Sequence, residues 1–172
     1  MKKISDIIFR YTILILVAVP NLWLFYTIFT PLTTYPVYWL LGLFYDTSLF
    51  NSNIILVNQF ISIELIAACI AGSAYYFLLI LNLSTPNLKA RKRIKILLLA
   101  FASFLFVNII RIFILSLIAI SNSSFFDITH KIFWYSLSTI FVVAIWFVEV
   151  KIFKLKDIPF YSDIKFLHRQ TR

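Results

Sequence analysis

Ile96-Leu-Leu-Leu-Ala-Phe-Ala-Ser-Phe-Leu-Phe-Val-Asn-Ile-Ile-Arg-Ile-Phe-Ile-Leu-Ser-Leu-Ile-Ala-Ile120 holds a single charge, Arg111. A hydrocarbon core about 30 Å thick is crossed by roughly 20 apolar residues in a helix, so this stretch alone predicts a transmembrane span. Three more apolar stretches lie around it, at about Ile7–Thr30, Leu65–Leu83 and His130–Val150. The whole 172-residue chain agrees: 62% of its residues are hydrophobic, 19% aromatic and 13% charged. A soluble domain has about 45–50% apolar residues, so the expected fold class is an all-α integral membrane protein with about four transmembrane helices in one domain, 1–172. The first stretch follows Lys2 and Lys3 but is longer than the 7–15-residue apolar core of a signal peptide and lacks a small-residue cleavage site. It is expected to stay as an anchor, with Pro20 either kinking it or marking a packed break.

Lysine and arginine positions orient the spans. Lys2, Lys3 and Arg10 open the first; Lys89, Arg91, Lys92, Arg93 and Lys95 lie between the second and third; Lys151, Lys154, Lys156, Lys165, Arg169 and Arg172 follow the fourth. By the positive-inside rule these 14 of the 16 basic residues are cytoplasmic, with both termini inside and 151–172 a basic tail. The net charge of +9 then reflects topology and contact with anionic lipid. There is no interleaved basic and aromatic surface of the kind that binds nucleic acid.

The segment 31–64 falls outside the membrane in this arrangement. Pro31-Leu-Thr-Thr-Tyr-Pro36 is expected to break the helix, and Tyr35, Tyr38, Trp39, Phe44 and Tyr45 suit an interfacial helix at headgroup depth. Ile54–Val57 and Phe60–Ile63 are β-prone runs around Asn58-Gln59, which predicts a short β-hairpin over the outer surface. The competing possibility is one long tilted helix from Ile54 to Leu83.

A helical rise of about 1.5 Å per residue places three reactive side chains at one depth. Counted from the nearest cytoplasmic lysine, Cys69 lies roughly 30 Å away, Arg111 about 24 Å and His130 about 31 Å, all in the outer leaflet. A lone cysteine in an apolar span is most often a small hydrophobe, but Cys69 is expected at a helix N-terminus, where the dipole and a nearby guanidinium favour a thiolate. An arginine inside a span costs several kcal/mol unless it is paired or faces a wet cavity; the bland alternative is that it snorkels. His130 is either an interfacial side chain or the proton carrier of the site, and Asp127 three residues before it is a helix cap or a supporting group. Asn108, one turn before Arg111, can hold the guanidinium or bond across helices. His168 belongs to the basic tail. One cysteine and two distant histidines make no ligand cluster, so no metal and no cofactor is expected.

Ala68-Cys69-Ile-Ala-Gly72-Ser73-Ala-Tyr75-Tyr76, then Asn108-Ile-Ile-Arg111-Ile112, then His130 opening the last span, resembles the exosortase/archaeosortase family of membrane cysteine transpeptidases, most of all its short archaeal members. The likeness covers about Glu64 to Lys151 and rests on the order, spacing and depth of three residues. It implies a Cys69–Arg111–His130 constellation facing outward. It also implies substrates that end in a sorting signal, made of a short motif, one transmembrane helix and a basic cluster, and a lipid or glycolipid acceptor. Many members have Ser or Thr after the cysteine and then Gly; here Ile70, Ala71 and Gly72 follow. The rival expectations are a small transporter, a non-enzymatic assembly subunit, or an acyltransferase that uses His130 without Cys69. Neither internal repeats nor broken helices with midplane polar residues are visible in the sequence, which speaks against the transporter.

Overall fold

The computed structural model describes residues 2–121, 126–132, 138–155 and 157–170. In chain order its elements are α1 (Lys2–Ala18), α2 (Trp23–Gly42), β1 (Thr47–Phe50), β2 (Ile54–Val57), β3 (Ile61–Glu64), α3 (Ala67–Ile70), α4 (Gly72–Leu83), α5 (Ala90–Ile120), α6 (Phe126–Ile132), α7 (Ser138–Phe153) and α8 (Tyr161–Gln170). The protein is mostly helical with one small sheet. Its axis is α5, whose 31 residues are long and apolar enough to cross a membrane. α2, α4, α6 and α7 all pack against it.

The expectation of about four transmembrane helices is corrected. Among the described residues α5 is one helix that meets the length and apolarity of a span; α1 and α2 meet them only as a pair bent by 69°. The chain turns between them at Pro20, where Asn21 and Leu22 take left-handed φ of 50° and 59°. Pro20 removes a backbone donor and its ring crowds the preceding turn, so of the kink and the break expected there it makes the break. The second stretch is also divided, at Ala71 (φ 58°), into the single turn α3 and the shorter α4. Of the fourth, α6 and α7 are described on either side of 133–137, which lie outside the described residues.

Pro31 and Pro36 do not break the chain; both lie inside α2. Phe25, Phe29, Thr33, Val37 and Leu41 are buried at a strict four-residue spacing, a row that runs past both prolines and lies between them on the helix surface. A proline inside an isolated helix costs about 3 kcal/mol, and packing of this uninterrupted row against α5 and α4 offsets it. The rings of Phe25, Phe29, Tyr75, Phe101 and Phe104 form its centre, with Phe29 and Tyr75 stacked at 3.6 Å. The expected interfacial helix is therefore the continuation of α2.

The hairpin is present and gains a strand. β2 pairs with β3 in antiparallel register, Ile54 opposite Glu64 and Val57 opposite Ile61. Asn58 and Gln59 both take positive φ, and the Phe60 N–H donates to Val57 O at 3.2 Å, the mirror-image turn that suits a twisted hairpin. β1 pairs on the other edge of β2, Thr47 opposite Val57. Central β2 buries Ile55 and Val57 completely, so the sheet is seated on the helices. This excludes the single long helix from Ile54 to Leu83.

The residues after 150 do not form a loose tail. α8 returns to the bundle, where Arg10 Nη2 meets Asp163 Oδ1 at 3.0 Å with both side chains buried.

Candidate active site

The sheet delivers the chain to Cys69. β3 ends at Glu64, Leu65 is buried beneath it, and α3 makes one turn carrying the thiol before Ala71 redirects the chain into α4. Gly72 is needed at that corner: a Cβ there would come within 2.8 Å of the Tyr26 ring, so only a bare backbone lets α4 start against α2.

Cys69 is thus on a separate helical turn between a strand and a helix, which corrects its expected place at a helix N-terminus. Its own N–H donates to Ile66 O at 2.8 Å. A four-residue turn sums few peptide dipoles, so the electrostatic help for a thiolate has to come from side chains. Arg111 supplies a charge within Coulombic range of the thiol. It is 5% exposed on the buried face of α5. Asn108, one turn earlier on the same face, donates from Nδ2 to Cys69 O at 2.9 Å. Of the two roles open to Asn108 from the sequence, the interhelical bond is the one formed.

A cleft of about 230 Å³ opens beside the thiol. Its walls are Glu64 to Ile66 with Cys69 on one side, Ile112, Leu115, Ser116 and Ala119 of α5 at the back, and His130 of α6 on the other side. His130 and Cys69, 61 positions apart in sequence, therefore face one space; Arg111 is not among the residues that line it. Small-molecule pockets usually measure about 300–1,000 Å³, so this mostly apolar cleft is small beside them. Asp127 lies in the first turn of α6, and its side chain is outside the described residues.

Glu64 and Ser116 line the cleft without having been singled out as site residues. Ser116 follows Arg111 by five positions on the buried side of α5, a periodicity visible in the sequence but shared with many core residues. A second buried polar pair lies away from the cleft. Glu149 of α7 is wholly buried and accepts from Asn82 Nδ2 of α4 at 3.2 Å. An acidic residue in an otherwise apolar stretch was the available signal, hidden by its nearness to Lys151.

Comparison with known proteins gives no match to this chain from any family model, curated protein or solved structure.

Proposed function

We propose that the protein is a membrane-embedded cysteine transpeptidase of the exosortase/archaeosortase kind. It cleaves C-terminal sorting signals of membrane-anchored surface proteins and transfers the remainder to a lipid or glycolipid. The observation that supports this reading is the shared cleft: a thiol and an imidazole from distant parts of the chain, with a buried guanidinium beside the thiol. α5 crosses the membrane, the bent and divided helices around it complete a multi-pass domain, and the basic end is cytoplasmic with both termini. The cleft then faces outward.

The chemistry follows from the residue types. Cys69, having passed its proton to His130, attacks the carbonyl of a substrate peptide bond. The C–S bond forms as the C–N bond breaks, and His130 returns the proton to the leaving amine. Arg111 stabilises first the thiolate and then the oxyanion, a role that is larger in a site shielded from water. The thioester persists until an amine or hydroxyl of the acceptor attacks it, gives its proton to His130 and frees the thiolate. Asn108 positions Cys69 through its carbonyl.

The test is co-expression with candidate surface proteins bearing a C-terminal motif, helix and basic cluster. Wild type shortens them; Cys69→Ala, Cys69→Ser, Arg111→Ala and His130→Ala leave them full-length. Processing that persists in Cys69→Ala removes the reading.

The break between α1 and α2 is a feature that a transporter would share, and the sequence had shown none. Val19, Pro20 and Asn21 are exposed, however. A transporter aims such a break at its substrate, so the break favours a peripheral bend.

A further inference from the structure

Residues 151–172 carry six basic side chains and two carboxylates, Asp157 and Asp163. Both carboxylates are engaged by the protein. Asp157 Oδ2 accepts from Asn87 Nδ2 at 3.1 Å, and Asp163 Oδ1 accepts from Arg10 Nη2 at 3.0 Å. The second bond is enclosed, with side-chain exposures of 2% for Arg10 and 4% for Asp163. Tyr11 OH donates to Asp163 Oδ2 at 3.4 Å, Phe160 N–H donates to Ser84 O at 3.3 Å, and the Tyr11 and Phe160 rings lie 6.1 Å apart. These contacts set the rotation of α8 about its own axis.

That rotation is the reverse of a soluble surface helix, which turns its apolar stripe inward and its charges to water. Here the carboxylate faces the protein together with half-buried Phe166; Ile164 and Leu167 face away, and Tyr161 stands at the border, with Lys165 Nζ 5.8 Å from its ring. Tyr161 is 57% exposed, Ile164 63% and Leu167 41%, one continuous row at three-residue spacing. Ile158 and Phe160 extend it on the approach to the helix. Lys165 stands exposed beside Ile164, and Lys151 and Lys154 stand exposed at the end of α7. An apolar row bordered by cations matches one kind of surface, a bilayer leaflet rich in anionic phospholipid. A second copy of the chain would bring the same cations face to face.

We propose that α8 is a membrane-surface helix bound to anionic phospholipid. Tyr161, Ile164 and Leu167 enter the boundary between headgroups and acyl chains, Lys165 and Lys154 meet the phosphates, and the buried Arg10–Asp163 bridge holds the helix at the angle that makes both possible. The proposal rests on the membrane reading and is independent of chemistry at Cys69.

The experiment uses the full chain in a Cys69→Ser background, with a fluorophore on Ile164→Cys or on the inward, half-buried Ser162→Cys. Each is reconstituted in phosphatidylcholine vesicles with or without phosphatidylglycerol. In the anionic vesicles, lipid-borne quenchers at headgroup depth should quench the Ile164 label about threefold more than the Ser162 label, while aqueous iodide reaches it less than in detergent. Omission of phosphatidylglycerol, or Lys165→Glu, should reduce that contrast by about half. Equal lipid quenching at the two positions overturns the proposal. So does a contrast indifferent to lipid charge, or an Ile164 signal that tracks protein density, which would mark a second copy as the occupant.

Discussion

At the Ala90 end of α5, each buried cation is tied down. Arg10 reaches Leu83 O at 2.7 Å and Asp163 at 3.0 Å; Arg93 reaches Leu83 O and Thr85 O at 3.3 and 3.1 Å; Lys92 reaches Phe153 O at 2.8 Å. Toward the Ile120 end, a thiol and an imidazole line a cleft, the buried Arg111 is within Coulombic range of the thiol, and Asn108 Oδ1 lacks a partner among the described residues. Carbonyls at a helix C-terminus are natural acceptors for cations, so the first end uses charge to fasten α1, α4, α5, α7 and α8 together. The second end sets a buried guanidinium within reach of a thiol that lines a cleft. Fastening stabilises a bundle; a cleft gives up packing and leaves the groups that line it accessible.

The sharpest contrast is kinetic. Cys69→Ala should reduce processing of a sorting-signal substrate by about a thousandfold or more while thermal unfolding in detergent hardly moves. Equal losses of activity and stability would show both ends to be structural. Next in size is Arg10→Leu, which strands Asp163 in a buried position and should cost about 3–5 kcal/mol by the same unfolding measurement. The double variant Arg10→Leu/Asp163→Leu should recover most of that loss, since two apolar groups leave no lone charge behind. Gly72→Ala forces a methyl into the Tyr26 ring and should cost about 1–3 kcal/mol, read as a lower melting temperature. Asn108→Leu leaves Cys69 O without its donor; a loss near 1 kcal/mol is expected, with a fall in activity larger than that figure accounts for. Smallest and of opposite sign, Ala71→Gly relieves a left-handed φ of 58° and should stabilise by about 1 kcal/mol. If it also lowers activity, rigid placement of α3 matters to the site.

Much of this was legible in advance for definite reasons. α5 is announced by uninterrupted apolarity, and Asn58-Gln59 between β-branched runs is a local turn signal that needs nothing distant to act. Asn108 and Arg111 could be matched because one helix surface holds both. The prolines cannot be judged from local sequence. Pro31 and Pro36 look like breakers, yet the buried row from Phe25 to Leu41 holds α2 together across them. Pro20 has no such row at its turn, and the helix ends. The Cys69 corner was misplaced because nothing in the apolar run from Leu65 to Leu83 marks Ala71 as left-handed; that conformation is imposed by the approach of α2 to Gly72. Thr47–Phe50 is no shorter than β2 or β3 but lacks their β-branched isoleucines, and it is a strand because β2 offers an edge.

Apolar content, the grouping of basic residues and the presence of a thiol, a guanidinium and an imidazole in a chain poor in polar groups belong to the sequence alone, since they depend on composition and one-dimensional spacing. Which face of α8 looks outward, where the apolar stretches break, and whether Cys69 and His130 share a cleft were decided by the tertiary structure. Each of these turns on contacts between residues far apart in the chain, and local spacing carries no record of the partner that makes a buried carboxylate, a strained φ or an interior proline tolerable.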